Sequence, residues 1–133
     1  MAKFELWKNK EKEILDPKLF SEEAEKLAKE IGEEGRGKKN KNSQVRRYFD
    51  EVMRLNTLAQ QCDSEEEFNG KILPQVHMII AKVVYAEGRN LVTSSFVSMM
   101  KNGIKEIQYR KDLQVFTSFL ESFMGFYKVY GPN

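Results

Sequence analysis

The chain has 133 residues, 41% hydrophobic and 32% charged, with a formal net charge of +2: enough to bury one core, too few for two, and far from a disordered balance. One cysteine, Cys62, excludes an internal disulfide and a cysteine-cluster metal site, and no apolar run approaches a membrane span or a secretory signal, so the chain reads as cytoplasmic with no membrane partner. The small net charge conceals segregation: residues 1–67 hold 14 Lys and Arg against 16 Asp and Glu, whereas 68–133 hold 8 against 4.

Periodicity is helical almost throughout. Residues 1–16 form an N-terminal extension, and 17–133 form one helical domain. Asp16-Pro17 is a helix start, with Asp as cap and Pro at the first position. Phe20, Ala24, Leu27, Ala28 and Ile31 share a face of this first helix, and Gly32 and Gly35 stop it. Residues 36–47 then carry six cations (Arg36, Lys38, Lys39, Lys41, Arg46, Arg47) and no acid. They form a flexible basic loop, with Gly35, Gly37 and Asn40, leading into a helix whose unpaired N–H groups add positive character, which suits phosphate. A solvated, solubilising loop explains the same composition equally well.

Asn42 or Ser43 caps the second helix, with Val45, Phe49, Val52, Asn56 and Ala59 inward. Ser64 to Glu67 is a capping box that opens the third helical segment, and Pro74 breaks or kinks it near Gly70–Pro74. From Pro74 the segment continues to Arg89 with Val76, Ile79, Ile80, Val83 and Val84 buried. A fourth helix from Thr93 uses Phe96, Met99, Met100, Ile104 and Ile107. Asp112 caps the last, whose stripe of Phe116, Phe119, Phe123, Phe126, Tyr127 and Tyr130 is core, with an oligomer seam as the second use of so much aromatic surface. The fold class is therefore all-α, a single-domain bundle of about five helices.

No catalytic pattern stands out. His77 has no Ser, Cys or second His at a motif spacing and reads as a boundary or core histidine. The acidic pairs sit at helix starts, where they complement the dipole. No metal or cofactor is expected, and the chain reads as a binding protein. At about 100° per residue, Met78, Lys82, Tyr85 and Arg89 fall on one outward stripe, where Tyr85 can stack on a base while Lys82 and Arg89 hold phosphates. An ordinary solvated helix face accounts for the same stripe. Arg46, Arg47 and Arg54 have i,i+4 acids (Asp50, Glu51, and Asp50 again), and such exposed pairs are too weak to keep an arginine from a phosphate.

Three segments resemble the small α-helical subunit of type III-A CRISPR–Cas interference complexes: Ser43-Gln44-Val45-Arg46-Arg47-Tyr48-Phe49, Lys82-Val83-Val84-Tyr85-Ala86-Glu87-Gly88-Arg89, and Phe116 to Lys128. Order and spacing agree over about residues 17–131. The resemblance implies a non-catalytic subunit of an RNA-guided antiviral complex. It would lie along guide RNA and single-stranded target RNA through sequence-independent phosphate contacts, packed against backbone and large subunits and against copies of itself, including a homodimer. Arg46, Lys82, Tyr85 and Arg89 match family positions, and Arg47 stands where the family has Lys. Lys38, Lys39 and Lys41 rest on charge and loop placement alone. The alternative is a structural helical adaptor that touches no RNA.

Overall fold

In the computed structural model, residues 4–133 are described; the first three residues of the expected N-terminal extension lie outside them. Asp16 accepts a hydrogen bond from the Lys18 N–H at 3.0 Å, but what it opens is a single 3-10 turn, Pro17–Phe20. The backbone swings at Ser21 (φ −127°, ψ −83°), and helix α1 (Glu22–Glu34) starts there, so the first expected helix is bent near Pro17. Gly32 does not stop it. It lies inside α1, where a Cβ would collide with the Tyr130 carbonyl oxygen, so its bareness lets the first and last helices approach closely. Gly35 caps the end.

Helix α2 (Asn42–Gln60) buries Val45, Tyr48, Phe49, Val52, Leu55 and Ala59; Leu55 takes the inward place expected of Asn56, which is half-buried. Asn42 does not cap it either. Its side-chain amide donates to the Gly131 and Pro132 carbonyls at 3.0 and 3.1 Å, and its N–H donates to Pro132 at 2.8 Å, tying the C-terminal end to the start of α2. Lys41 stands at the cap position and makes no side-chain cap bond.

The third helical segment starts as expected. Ser64 Oγ accepts from the Glu67 N–H at 3.1 Å, and Glu67 Oε1 accepts from the Asp63 N–H at 2.6 Å, ahead of α3 (Glu65–Glu67). The interruption near Pro74 takes the form of a π-helical turn, Phe68–Ile72, before α4 (Leu73–Gly88) resumes with Pro74 in its first turn. A proline nitrogen has no hydrogen to donate, so a widened turn just ahead of it absorbs the lost bond. It also turns both Phe68 and Ile72 into the core. In α4, Val76, Ile79, Val83 and Ala86 are buried, Ile80 is half-buried and Val84 is 45% exposed. The buried face is thus rotated from the expected one, and His77 is exposed.

Helices α5 (Ser94–Lys105) and α6 (Arg110–Tyr130) complete five helical segments among the described residues, with one isolated bridge, Asn9–Ile14, as the only extended pairing. α6 packs on α1 and α2 along its length, while α4 packs on α5 and α2. Phe116, Phe119, Phe123 and Tyr127 are fully buried in it, so most of the aromatic stripe is consumed by the core. Asp112 caps α6 as one half of a capping box, with Tyr109 at the N-cap position. It sits at the third helical position and reaches back, its Oδ2 accepting from the Gln108 and Tyr109 N–H groups at 2.8 and 2.9 Å.

Asp112 also receives the segment ahead of the bundle. Its Oδ1 accepts from the Trp7 indole N–H at 2.8 Å, and Lys10 pairs with it at 3.3 Å. Leu6 is fully buried, Phe4 stacks on Phe119 at 4.5 Å between centroids, and Lys111 pairs with Glu13. Residues 4–14 therefore contribute side chains to the common core.

The π-helical turn lacks regular spacing and carries Gly70. Native-state amide exchange is expected to be at least about tenfold faster over 66–76 than over the buried half of α6. Equal protection of the two would show that the turn is as stable as the core.

Candidate nucleic-acid interface

Helices α2 and α4 lie side by side, and a shallow groove between them is lined by Arg47, Tyr48, Met78, Ala81, Lys82 and Tyr85. Tyr48 forms the floor; its ring is buried against Phe96 (5.8 Å between centroids), and burial pushes its hydroxyl pKa up despite Arg47 nearby. Tyr85 and Met78 stand at the rim, 66% and 58% exposed. Arg89, one turn beyond Tyr85, places its guanidinium 5.9 Å from the Tyr85 ring centroid and donates to its hydroxyl at 3.4 Å. The rotation of α4 has a consequence here. Its cationic stripe lies on the flank turned towards α2, so Lys82 and Tyr85 share a groove with Arg47.

One carboxylate stands among these cations. Glu51 accepts from Arg54 through both oxygens at 3.0 Å, and Lys82 approaches it at 3.8 Å. The hydrogen bonds from Arg54, helped by Lys82, hold its pKa below the ordinary carboxylate value against the opposing effect of burial. The expected Arg47–Glu51 pair does not form, because Glu51 turns to Arg54 and Lys82 instead. Asp50 pairs with Arg46 at 4.0 Å, as expected. Arg46 and Arg47 point about 100° apart around α2, so only Arg47 faces the groove.

The basic loop is not loose. Asn40, with φ +57° and no solvent exposure, fixes it. Its amide donates to the Ile31 carbonyl (2.9 Å) and to Thr93 Oγ1 (2.8 Å), and its side-chain oxygen accepts from the Thr93 N–H (2.9 Å). Its own N–H donates to the Leu91 carbonyl at 3.0 Å, and its carbonyl receives the Tyr127 hydroxyl. The loop is thereby laid against the link between α4 and α5. Arg36, Lys38 and Lys39 line a second recess there, with Glu34, Glu87, Asn90 and Thr93. Gly37 makes the turn with φ +76°. The start of α5 is already supplied with an anion: Glu34 accepts from the Ser95 N–H (3.2 Å) and hydroxyl (2.7 Å). Burial pushes the Glu34 pKa up, but hydrogen bonds from Thr93 and Ser95 leave it below its ordinary value.

The eight candidate residues therefore fall into three places. Arg47, Lys82 and Tyr85, with Arg89 bracing Tyr85, form one group. Lys38 and Lys39 form a second at the α4–α5 link. Arg46 and Lys41 belong to neither; Arg46 lies on the flank of α2 beside Asp50, and Lys41 is exposed at its start. Sequence reasoning takes Glu51 only as a partner for Arg47 and Asn40 only as part of a flexible loop, whereas Glu51 holds Arg54 and Lys82 and Asn40 is a buried tie between elements. Glu51 has a signal, an acid within one helical turn of both Arg47 and Arg54. Asn40 has none beyond its taste for left-handed backbone.

Among the described residues no set of three His, Cys, Asp or Glu side chains converges on a metal-sized site, and no helix is long and apolar enough to cross a membrane. The described residues thus form a small all-helical bundle with two cations and an exposed tyrosine along the groove between α2 and α4. The family described as Csm2 Type III-A matches residues 15–133, and this chain belongs to that family, the small subunit of the type III-A CRISPR–Cas complex. No match was found among curated proteins or among solved structures.

Two outcomes follow from the geometry. Asn40→Ala leaves the Ile31 carbonyl, the Thr93 hydroxyl and the Thr93 N–H without their partner and keeps an unfavourable left-handed backbone. Chemical denaturation is expected to show a loss of about 3 kcal/mol. Glu51, with its folded-state pKa depressed, adds stability above its unfolded value and loses it as pH falls through the folded value. Parent and Glu51→Gln should therefore differ in denaturation midpoint at about pH 7 and draw together as pH falls below the ordinary carboxylate range, the parent losing the advantage.

Proposed function

We propose that this chain is a non-catalytic, cytoplasmic subunit whose α2–α4 groove meets RNA in the type III-A complex. Arg47, Lys82 and Arg89 neutralise phosphates and Tyr85 stacks on a base or sugar face, with no reading of base edges. The observation that carries this reading is the convergence of Arg47 and Lys82, from different helices, beside a tyrosine that is two-thirds exposed and braced by Arg89. Lys38 and Lys39 extend the positive surface past the α4 C-terminal end, while Arg46 and Lys41 add long-range attraction. The ligand is the guide RNA with its single-stranded RNA target. Backbone and large subunits and further copies of this chain pack on other faces. Residues 17–133 form the functional bundle, with 1–16 as its extension.

Titrating the purified chain into labelled single-stranded RNA over a salt series tests this. The triple variant Arg47→Ala, Lys82→Ala, Arg89→Ala should bind at least about tenfold more weakly and lose about two units of log–log salt slope. Arg46→Ala should change affinity less than about twofold. Equal binding by the triple variant and the parent would move the RNA contact elsewhere.

One feature favours a second reading, the structural adaptor. Opposite the buried line of Val76, Ile79, Val83 and Ala86, α4 presents His77, Met78, Ala81, Val84, Tyr85 and Gly88, with no Asp, Glu, Lys or Arg among them. Helix faces of that kind are commonly covered by protein. Under this reading Ala81→Glu blocks assembly with the other subunits and the triple variant assembles normally.

A further inference from the structure

The carboxylate of Glu51 already holds Lys82, one of the groove's cations, together with Arg54 beside the groove. It takes Nε and one terminal nitrogen of Arg54 at 3.0 Å each, the two-pronged arrangement that guanidinium makes with phosphate as well. It also draws Lys82 from the facing helix to 3.8 Å. Arg47 lies one turn away on the same flank of α2 and makes no ion pair with it. One acid is thus set among three cations contributed by two helices, and its side chain is one-quarter exposed, open to exchange with solvent ions.

We propose that Glu51 is an internal stand-in for an RNA phosphate. It holds Arg54 and Lys82 when no strand is bound, and a phosphodiester displaces it from at least one of them. The inference rests on the α2–α4 groove being the RNA-facing surface. Glu51 is then a positioning residue with two effects. It keeps Lys82 drawn towards α2 at the groove's edge instead of leaving it to solvent. It also lowers affinity, because each strand that binds must break a contact already made and return an uncompensated carboxylate to water. Exposed ion pairs are weak enough for such exchange to be fast and reversible. A groove regulated in this way discriminates against small stray anions, which offer one or two charges, and in favour of a strand held in register by its neighbours in a complex.

The test compares the full-length parent, Glu51→Gln, Glu51→Ala and Lys82→Ala by anisotropy with labelled single-stranded RNA across a salt series, with each variant's melting temperature measured alongside. Glu51→Gln should bind about threefold to fivefold more tightly, and its log–log salt slope should be steeper by about 0.7, one ion's worth for a single strand. Glu51→Ala should show the same direction even if its melting temperature falls. A merely structural tie between α2 and α4 would lower the melting temperature without steepening the salt slope. If Lys82→Ala loses affinity while both Glu51 variants bind no more tightly than the parent, the stand-in role is wrong and the groove stands. If Lys82→Ala binds RNA as the parent does, the groove itself is wrong and this inference falls with it.

Discussion

A single buried amide side chain sets the geometry on which the rest depends. Asn40 joins the end of α1, the α4–α5 link and α6 at one point, with its backbone in the left-handed region and every polar atom of its side chain paired. Desolvated amides are costly unless fully satisfied, so the site admits one arrangement and penalises all near misses. Because the loop of 36–41 passes through this residue, its cations are delivered to the α4–α5 link and not left to wander over the surface. Because the link is fixed, the C-terminal end of α4 is fixed too, and with it Arg89 and the brace on Tyr85.

The second constraint is electrostatic. The cations are distributed over separate places and acids are set among them: Glu51 beside the groove, Glu34 and Glu87 in the recess beside the loop. A surface of unopposed cations would repel itself and hold any polyanion. Interleaving keeps the local field positive while giving each cation a defined position. Glu34 goes further, since its contacts with Ser95 close off the N-terminal end of α5, a place where an anion would otherwise settle.

How much of this was legible depends on whether the signal was periodic. The five helical segments, the aromatic core of α6 and the disturbance ahead of Pro74 follow from spacing and from the chemistry of proline, and they were readable. What failed were decisions set by tertiary contact. Val84 looks as apolar as Val83, and only the packing of α4 against both α2 and α5 turns it outward. Gly32 resembles a helix stop until the Tyr130 backbone is seen lying against it. Asn42 is a good capping residue by type but binds Gly131 and Pro132, whereas Asp112 does cap α6, from the third helical position, and holds Trp7 as well. In the site, the stripe on α4 was visible as a pattern, whereas its meeting with Arg47 required knowing which way α4 is turned. The separation of Arg46 from Arg47 required only that neighbours on a helix diverge.

The indole of Trp7 gives the molecule an optical handle. It is the only tryptophan in the chain, it lies in the short segment that precedes the family-matched region, and it is almost wholly buried with its N–H on Asp112. Its emission therefore reports whether that segment is docked, through the colour shift that accompanies hydration of an indole. The five tyrosines absorb and emit at shorter wavelength and are spread over several elements, so the single indole alone carries a signal tied to one place in the fold.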